Sequence, residues 1–378
     1  MKKIVFRLTL LLATLLVVSE ILGWGSVGHS LINRNATKHF PEEINTFKSW
    51  AEFLALHASD ADYRKSSDPN EGNKHFIDID NYPEFFNGTF PRSIDTLIAL
   101  YGWNYVWQQG ILPWATKYTL DSLTAAFQRK DWNKAKLTAA DLGHYVADAH
   151  QPLHITRNYD GQYTNQRGIH SRYETQMVNR YQSQFSFTPN PAFYVNNPIE
   201  FIFDYIFESY SFLDDLLLAD SIAKATAGNV NSDLYYTTLW NLTGTFTKYL
   251  FQKASERLAS LFYTAWINAG SPQLPATLVE ELSLIPTKIV LYQNHPNPFN
   301  YSTQIRYFIP KEFIGKTITL RVIDSLGKEV ITFTDEIKTD GYHQFEVDGK
   351  YHRLSSGTYV YEISVDGYKE SNKMQYIK

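Results

Sequence analysis

The chain has 378 residues, a length that suits two domains better than one domain of average size. Hydrophobic residues make up 44% of it, which supports a sizeable core and excludes a globally disordered chain. The formal net charge of -4 excludes a protein that coats long stretches of nucleic acid, because that role needs a basic face. This charge does not exclude an enzyme that binds one or two phosphate groups.

The N-terminal residues 1–23 are typical of a signal peptide. A basic segment precedes the apolar residues 8–18, and the small Gly23 lies where cleavage is expected. The alternative is an uncleaved membrane anchor, but the apolar segment is far shorter than the ~20 residues that a spanning helix needs. The later apolar residues 201–218 include four acidic residues and are typical of an amphipathic core helix. We therefore expect an exported protein with no stable membrane span.

Cysteine is absent from the sequence. An exported protein usually has access to an oxidising environment, in which disulfide bonds would form. Without them, the chain needs another source of stability, and bound metal is one such source because metal binding is coupled to folding.

A mainly α-helical domain is predicted for residues 24–270. Apolar residues recur there at helical spacing, with few β-branched runs between them. This spacing is clearest in residues 121–128, 132–149 and 246–269. A proline-containing linker is predicted for residues 271–287.

The remaining residues, 288–378, are predicted to form a small all-β sandwich. Apolar and polar residues alternate there in at least five short segments, which glycine-containing turns separate. The segments are residues 304–309, 318–323, 329–334, 342–347 and 358–365.

This C-terminal region resembles the sorting domain of type IX secretion substrates. The resemblance implies that residues 288–378 address the chain to the type IX secretion machinery, so that the protein passes through the periplasm and is secreted or held at the cell surface. The alternative for a β-sandwich of this size is a carbohydrate-binding or adhesion role. The residues that carry the resemblance are 291–300, 305–307, 322–327, 354–359 and 373–378.

Histidine and carboxylate residues recur at spacings that suit metal coordination. His144 and Asp148 are four residues apart, so they share one face of a helix, and His170 and Glu174 repeat this spacing. A proline ends or kinks the first helix, which allows His154 to approach from the following turn. One such pair alone is usually an ion pair on a helix surface. Two pairs joined by a further histidine predict a zinc site.

Further candidate ligands lie upstream of these pairs. Trp24 and His29 directly follow the expected cleavage point, and Asp62 and His75 lie in the next two motifs. Other residues of these types are interpreted as structural histidines or as carboxylates that are solvated or support the ligands, namely His39, His57, His150, Asp60 and Asp78.

The order of these motifs resembles that of the superfamily of zinc-dependent bacterial phospholipases C and fungal single-strand nucleases. The motifs are Trp-x4-His, Ala-Asp, His-Phe, His-x3-Asp-x5-His and His-x3-Glu, and they span residues 24–174. The resemblance implies a multi-helix fold for residues 24–270 and a site that holds three zinc ions.

The resemblance also implies which residues hold each ion. The first zinc ion is then bound by Asp62, His75, His144 and Asp148. The second is bound by His154, His170 and Glu174. The third is bound by His29, by Asp148 as a bridge, and by the free amino group and carbonyl oxygen of Trp24, which requires cleavage after Gly23.

The chemistry implied by this family is hydrolysis of a phosphate ester by a metal-bound hydroxide. Two neighbouring zinc ions lower the pKa of a shared water towards 7, and the third neutralises charge on the phosphate. Asp62 is the candidate for orienting or deprotonating the water, in addition to its role as a ligand.

Individual positions bear on which branch of the superfamily the chain follows. Glu174 closes its motif with the acid of the phospholipase branch, and Tyr63 after Asp62 favours the same branch. Val27 and Gly72, however, stand where that branch has the acid and the aromatic residue of its choline site. Choline is therefore not implied as the head group.

The nuclease branch holds a base with a Phe and an Asp that follow a zinc-binding histidine. Phe76 and Asp78 match this pair as candidate substrate-binding residues, although phospholipases can also carry it. The expected function is therefore a phospholipase C-like or general phosphodiesterase, whose phosphodiester substrate is a phospholipid or a single-stranded nucleic acid. A single-strand nuclease or nucleotidase and a non-enzymatic, metal-stabilised secreted protein are the alternatives.

Overall fold

The computed structural model describes residues 24–275, 288–294, 297–338 and 340–377. Helices occupy the first of these ranges and antiparallel strands the others. The predicted fold class, a mainly α domain followed by a small β-sandwich, is confirmed. The predicted signal peptide and most of the predicted linker lie outside the described residues.

The helical domain contains helices of very different length, joined by loops and short 3-10 turns. Among the described residues, no helix is both long enough and apolar enough to cross a membrane. The helices are α1 Gly25–Ala36, α2 Ala51–Leu56, α3 Asp60–Arg64, α4 Pro83–Phe86, α5 Ile94–Tyr101, α6 Trp103–Gln108, α7 Leu112–Gln128, α8 Trp132–Asp148, α9 Ile169–Ser171, α10 Val178–Tyr181, α11 Pro198–Tyr210, α12 Leu213–Ala227 and α13 Asp233–Asn268.

Helices α1 and α8 lie close together because of a glycine. A Cβ atom on Gly143 would lie 2.1 Å from the side-chain oxygen of Asn33, so no larger residue fits at this crossing. The amide of Asn33 donates hydrogen bonds to the carbonyl oxygens of Leu54 and Ala140. This contact fixes α1, α2 and α8 relative to one another. Both α1 and α8 contribute residues to the site described below.

Two aromatic-rich clusters form the core of the helical domain. In the first, Phe47 packs against Trp50 and Phe262. In the second, Trp24 packs against Tyr173 and Phe251, with ring centroids 5.4 and 4.7 Å apart. Residues that neighbour the site in the chain belong to both clusters, for example Tyr145 to the first and Ala147 to the second.

The β-sandwich consists of two antiparallel sheets, with strand orders β1-β2-β5 and β4-β3-β6-β7. Its core is formed by the inward-facing residues of both sheets, including Ile305, Leu320 and Tyr361. The strands are β1 Val290–Leu291, β2 Ser302–Ile309, β3 Thr317–Ile323, β4 Glu329–Glu336, β5 Gly341–Asp348, β6 Gly357–Val365 and β7 Tyr368–Tyr376.

Candidate metal centre

The structure brings the predicted histidine and carboxylate ligands together in three buried groups. Within each group, candidate ligand atoms lie within 4.8 Å of one another. The groups are His29 with Asp62 and His144, His75 with His144 and Asp148, and His154 with His170 and Glu174.

Most of these side chains are supplied by α8 and by the short segments that follow it. His144 and Asp148 lie one turn apart in the C-terminal half of α8, and both are fully buried. His154 ends the 3-10 turn Pro152–His154, which begins where α8 has stopped. The predicted role of the proline, which ends the helix so that His154 turns back towards Asp148, agrees with this geometry.

The pair His154 and His170 gives the clearest indication of a cation. Each ring donates its Nδ1–H to a backbone carbonyl, His154 to His75 at 2.7 Å and His170 to Tyr159 at 2.8 Å. Each neutral ring therefore has a lone pair on Nε2. The two Nε2 atoms face each other at 3.1 Å. An oxygen of the Glu174 carboxylate lies 2.8 Å from the Nε2 atom of His170. Two lone pairs and a carboxylate converging in a buried space repel one another unless a proton or a metal ion lies between them. Although burial opposes the charged form, the Glu174 carboxylate accordingly raises the pKa of His170.

His144 lies in the same kind of electrostatic environment. Its Nδ1–H donates to the carbonyl of Ala58 at 2.7 Å, which leaves a lone pair on Nε2 of the neutral ring. That nitrogen lies 3.2 Å from an oxygen of Asp148 and 3.5 Å from one of Asp62. Although burial opposes the charged form, the two carboxylates raise the pKa of His144 to about 10. The site therefore demands a positive charge at this nitrogen, which either a proton or a metal ion satisfies.

His75 points its Nδ1 atom into the cluster and its Nε2 atom away from it. Nδ1 lies 3.0 Å from an oxygen of Asp148 and 2.9 Å from Nε2 of His144. Nε2 lies 3.5 Å from the carboxylate of Glu71, which also accepts a hydrogen bond from Tyr145. Carboxylate partners of this kind commonly orient metal-binding histidines. Glu71 was not identified in the sequence, because its spacing of four residues from His75 is also common in helix-surface pairs.

His29 is buried on α1, and neither ring nitrogen has a hydrogen-bond partner among the described residues. Its Nε2 atom lies 3.5 Å from Asp148, whose Oδ1 atom is also without a hydrogen bond. Burial and the neighbouring His144 lower the pKa of His29 to about 3, so the ring is neutral. Unsatisfied buried polar atoms are costly, and a cation bound between these two side chains would satisfy both.

The two aspartates of the cluster carry negative charge. Burial opposes their ionisation, but Lys65 and His144 hold the pKa of Asp62 well below its ordinary value. His144 and His154 do the same for Asp148. Two buried carboxylates and several imidazoles form a set of oxygen and nitrogen donors that zinc accepts. The residues present therefore fit the metal that the sequence resemblance implies.

Trp24 lies at the beginning of α1, where its side chain is fully buried in the second aromatic cluster. Its carbonyl oxygen accepts a hydrogen bond from the backbone of Gly28 at 3.2 Å. The structure thus places Trp24 five residues before His29, at the N-terminal end of the helix that carries this candidate ligand. Its proposed role as a ligand through the main chain remains a prediction.

The candidate substrate-binding residues lie in the loop that follows His75. The carbonyl of Phe76 accepts a hydrogen bond from Leu112, and the backbone of Asp78 bonds to Gln109. Burial and the nearby Asp80 raise the pKa of the Asp78 carboxyl to about 7. The loop is thereby fixed to α6 and α7 beside the candidate metal ligand, and it presents a titratable group there.

The histidines interpreted as structural have partners outside the three groups. His39 bonds to Asn190 and Ser255, and His150 donates to the carbonyl of Val146. His57 instead pairs with Asp60, at 2.6 Å. None of the three belongs to the groups of potential metal ligands found among the described residues.

Comparisons with known proteins add the following. Residues 293–377 match the family described as secretion system C-terminal sorting domain. The chain is similar to the alpha toxin from Clostridium absonum, with a TM-score of 0.41, 11% sequence identity, and coverage of 95% of this chain and 97% of that one. It is also similar to the alpha-toxin of an avian strain of Clostridium perfringens, with a TM-score of 0.39, 12% identity, and coverage of 94% and 98%.

The comparison with curated proteins finds no match.

The match of residues 293–377 to the sorting-domain family confirms the interpretation of the β-sandwich. Residues 293–377 are a secretion sorting domain, and the protein is therefore exported through type IX secretion, either to the cell surface or into the medium.

Proposed function

We propose that this exported protein is a zinc-dependent phosphodiesterase. The observation that carries the proposal is the pair of Nε2 lone pairs on His154 and His170, which face each other at 3.1 Å beside the carboxylate of Glu174. A second buried group of candidate ligands, centred on Asp148, lies next to the group of His154, His170 and Glu174. Neighbouring nitrogen and oxygen sites of this kind are typical of enzymes that hydrolyse phosphate esters with several metal ions.

Each cluster residue has a proposed ligand role. Asp62, His75, His144 and Asp148 hold one zinc ion, and His154, His170 and Glu174 hold a second. His29, Asp148 and the main chain of Trp24 hold a third, once the residues before Trp24 have been removed. When bound, the ions supply a water of lowered pKa and positive charge that neutralises a phosphate.

The protein itself orients these groups and controls protons. Backbone carbonyls fix the rings of His144, His154 and His170, so that each presents Nε2 to the cluster. Asp62 is the proposed group that orients the attacking water or accepts its proton, because its carboxylate is ionised and it is the least buried of the candidate ligands. Burial of the whole set excludes bulk water and strengthens these interactions.

A phospholipid is the proposed substrate, since Glu174 and Tyr63 follow the phospholipase branch of the resemblance. One observation favours a nucleic-acid substrate as a second candidate. Asp78, with its pKa near 7, is half-buried next to Phe76, and a carboxyl and an aromatic ring together can hold a base by hydrogen bonding and stacking.

The test uses zinc-loaded protein that begins at Trp24. Hydrolysis is measured on phosphatidylcholine, other phospholipids, single-stranded DNA, RNA and a small chromogenic phosphodiester, and zinc is measured by elemental analysis. We expect about three zinc ions per chain. We expect about two in a matched protein with one extra glycine before Trp24, because an amide nitrogen is a poor ligand.

Glu174→Ala should lose close to one zinc ion and most of the turnover, because two histidines alone leave the cation under-neutralised. The exposed Glu43 supplies the control, and Glu43→Ala should change neither quantity. Bound zinc without hydrolysis of any of these diesters would overturn the proposed function in favour of a metal-stabilised secreted protein.

A further inference from the structure

The outer face of strand β2 is buried, although it points away from the core of the sandwich. Ile305 and Tyr307 face that core, and the alternate residues Gln304 and Arg306 face the other way. Both of these polar residues are nevertheless only 6% exposed. The surface that covers them belongs to the helical domain.

Arg306 makes the most specific contacts across this interface. Its guanidinium donates to an oxygen of Asp60 at 2.7 Å and lies 5.5 Å from the centre of the Tyr63 ring. The other oxygen of Asp60 is bonded to His57 at 2.6 Å, so the acceptor is held in place. Burying an arginine is costly unless its charge is paired, and this pairing therefore selects one docked position.

In this docked position the sorting domain contacts the helix that carries Asp62 of the candidate metal centre. Asp60 and Tyr63 lie on α3 and flank Asp62, the proposed ligand and proton acceptor. Sorting-domain residues therefore lie over the side of the centre that Asp62 forms. A small cleft remains there, and it is lined by both domains, including Gly25, Asp62, Thr175, Ser302, Gln304 and Glu346.

The cleft between the two domains is small. Its volume is about 70 Å³. Pockets that bind small organic ligands typically measure ~300–1,000 Å³. While the two domains are in contact, they therefore restrict the access of a phospholipid head group or a nucleotide to this side of the centre.

We infer that the sorting domain, held by the Arg306–Asp60 pair, covers the Asp62 side of the metal centre and restrains hydrolysis until it separates from the helical domain. The inference rests on the proposed function. The partner that fits the α3 surface is thus this chain's own sorting domain, which serves as both the export address and an intramolecular cap. Separation of the domains increases the access of a phosphodiester to Asp62.

The experiment uses the full chain loaded with zinc. Because the sequence has no cysteine, Leu137→Cys on the helical domain and Leu326→Cys on the sorting domain provide two exposed labelling sites without background. The distance between spin labels at these sites is measured together with turnover of a small chromogenic phosphodiester. Arg306→Glu places a negative charge against Asp60, so we expect a longer, broader distance distribution and a several-fold rise in turnover.

Two further variants make the result specific. Arg321→Ala removes an arginine of the same domain whose partners, Glu329 and Glu362, lie outside the interface, and it should alter neither distance nor turnover. The exchanged pair Arg306→Asp with Asp60→Arg should restore both the short distance and the low turnover of the parent protein.

Three results would overturn the inference. An unchanged distance in Arg306→Glu would show that this arginine does not hold the domains together. Separated domains with unchanged turnover would show that the cap does not restrain a working phosphodiesterase, and the proposed function would stand. Separated domains with no turnover in any variant, including the parent, would reject the proposed function and with it the cap.

Discussion

Gln151 orients the carboxylate of Glu174, although it occupies an unspecified position of the His-x3-Asp-x5-His motif. Its amide donates to Glu174 at 3.0 Å, and its carbonyl oxygen accepts from the backbone of Leu153 at 2.6 Å. The second bond fixes which end of the amide faces the carboxylate. Gln151 is fully buried, so both bonds form away from water. It thus supports the group with His154 and His170 without belonging to it.

Removing this support should weaken zinc binding. In Gln151→Ala the carboxylate of Glu174 loses a fixed donor, and the affinity of the weakest-bound zinc should fall by about 10- to 100-fold. Competition with a chromophoric chelator measures that affinity. The exposed Gln128 serves as the control, and Gln128→Ala should leave it unchanged. Equal affinities in the two variants would mean that Glu174 does not depend on Gln151.

At this scale the sequence identified candidate ligands by periodicity but not the residues that support them. His144 with Asp148 and His170 with Glu174 are visible because helical spacing brings them together. Gln151 has no such signal, because a single glutamine has no characteristic spacing. A supporting residue is defined by contacts across the fold, and these arise only after the chain has packed.

Asp78 predicts a dependence of stability on pH. Burial and Asp80 raise the pKa of its carboxyl to about 7, whereas an unfolded aspartate titrates near ~4. A carboxyl whose pKa is higher in the folded state stabilises the protein at pH values below its pKa in the unfolded state. This stabilisation is lost as the pH rises through 7. Asp78→Asn should therefore be more stable than the parent above pH 7, by about 1–2 kcal/mol given its partial exposure, because the buried charge is absent.

Urea unfolding at pH 5 and pH 8.5, with zinc in excess, measures the effect. The difference between Asp78→Asn and the parent should be larger at the higher pH. The exposed Asp204, on α11, supplies the control, and Asp204→Asn should show no such change. A difference that is larger at pH 5 would reverse the sign of the argument and refute it.

At the scale of secondary structure, Glu174 lies in a π-helical turn, Arg172–Met177, directly after α9. The sequence predicted an ordinary helical pair, and the wider turn still leaves His170 2.8 Å from Glu174. Arg172 anchors the turn, because it donates to Asp220 at 3.0 Å and to the hydroxyl of Tyr235 at 2.8 Å. These partners lie on α12 and α13, so two long helices hold the turn in place.

Breaking this anchor should cost stability. Asp220 is fully buried, and Asp220→Asn leaves the guanidinium of Arg172 without a charged partner, which should lower the free energy of unfolding by about 3 kcal/mol. Denaturant unfolding measures this loss. Asp233→Asn breaks the exposed pair with Arg180 and should cost less than ~1 kcal/mol. Similar losses in both variants would indicate that burial of the anchor is unimportant.

Several elements were predicted well, but strands β1 and β7 were not, and β1 has only two residues. The predicted helix at residues 132–149 corresponds to α8, Trp132–Asp148, because its apolar stripe is regular and Asp131 caps its N-terminus. Strand β7, Tyr368–Tyr376, was missed among the predicted segments. It is an edge strand with mostly exposed, polar residues, so alternation of apolar residues is weak there.

At the scale of the whole molecule, the candidate metal centre concentrates negative charge and lone pairs inside a chain without disulfide bonds. Removal of metal with a chelator should therefore lower the melting temperature, by roughly 5–15 °C. Scanning calorimetry measures the shift. Zinc should restore the original value and magnesium should not, because magnesium prefers an octahedral shell of oxygen ligands. An unchanged melting temperature after complete metal removal would contradict this expectation.

The order of the two domains was visible in the sequence, but their contact was not. The change from helical spacing to alternating apolar residues marks the boundary, because each periodicity reflects local geometry. Arg306 and Asp60 are 246 residues apart in the chain and carry no local signal of pairing. Such a contact depends on the shapes of two folded surfaces.

The sorting domain is closed by its final strand, which β6 pairs along its full length. Phe299, near the start of the domain, bonds to Gln375 and Ile377, and the ring of Tyr376 packs where Gly349 has no side chain. The export address is therefore complete only after Tyr376 has been synthesised. A ribosome that stops early releases a chain whose sandwich lacks an edge strand and part of its core. Only a chain that extends through Tyr376 therefore presents a folded address.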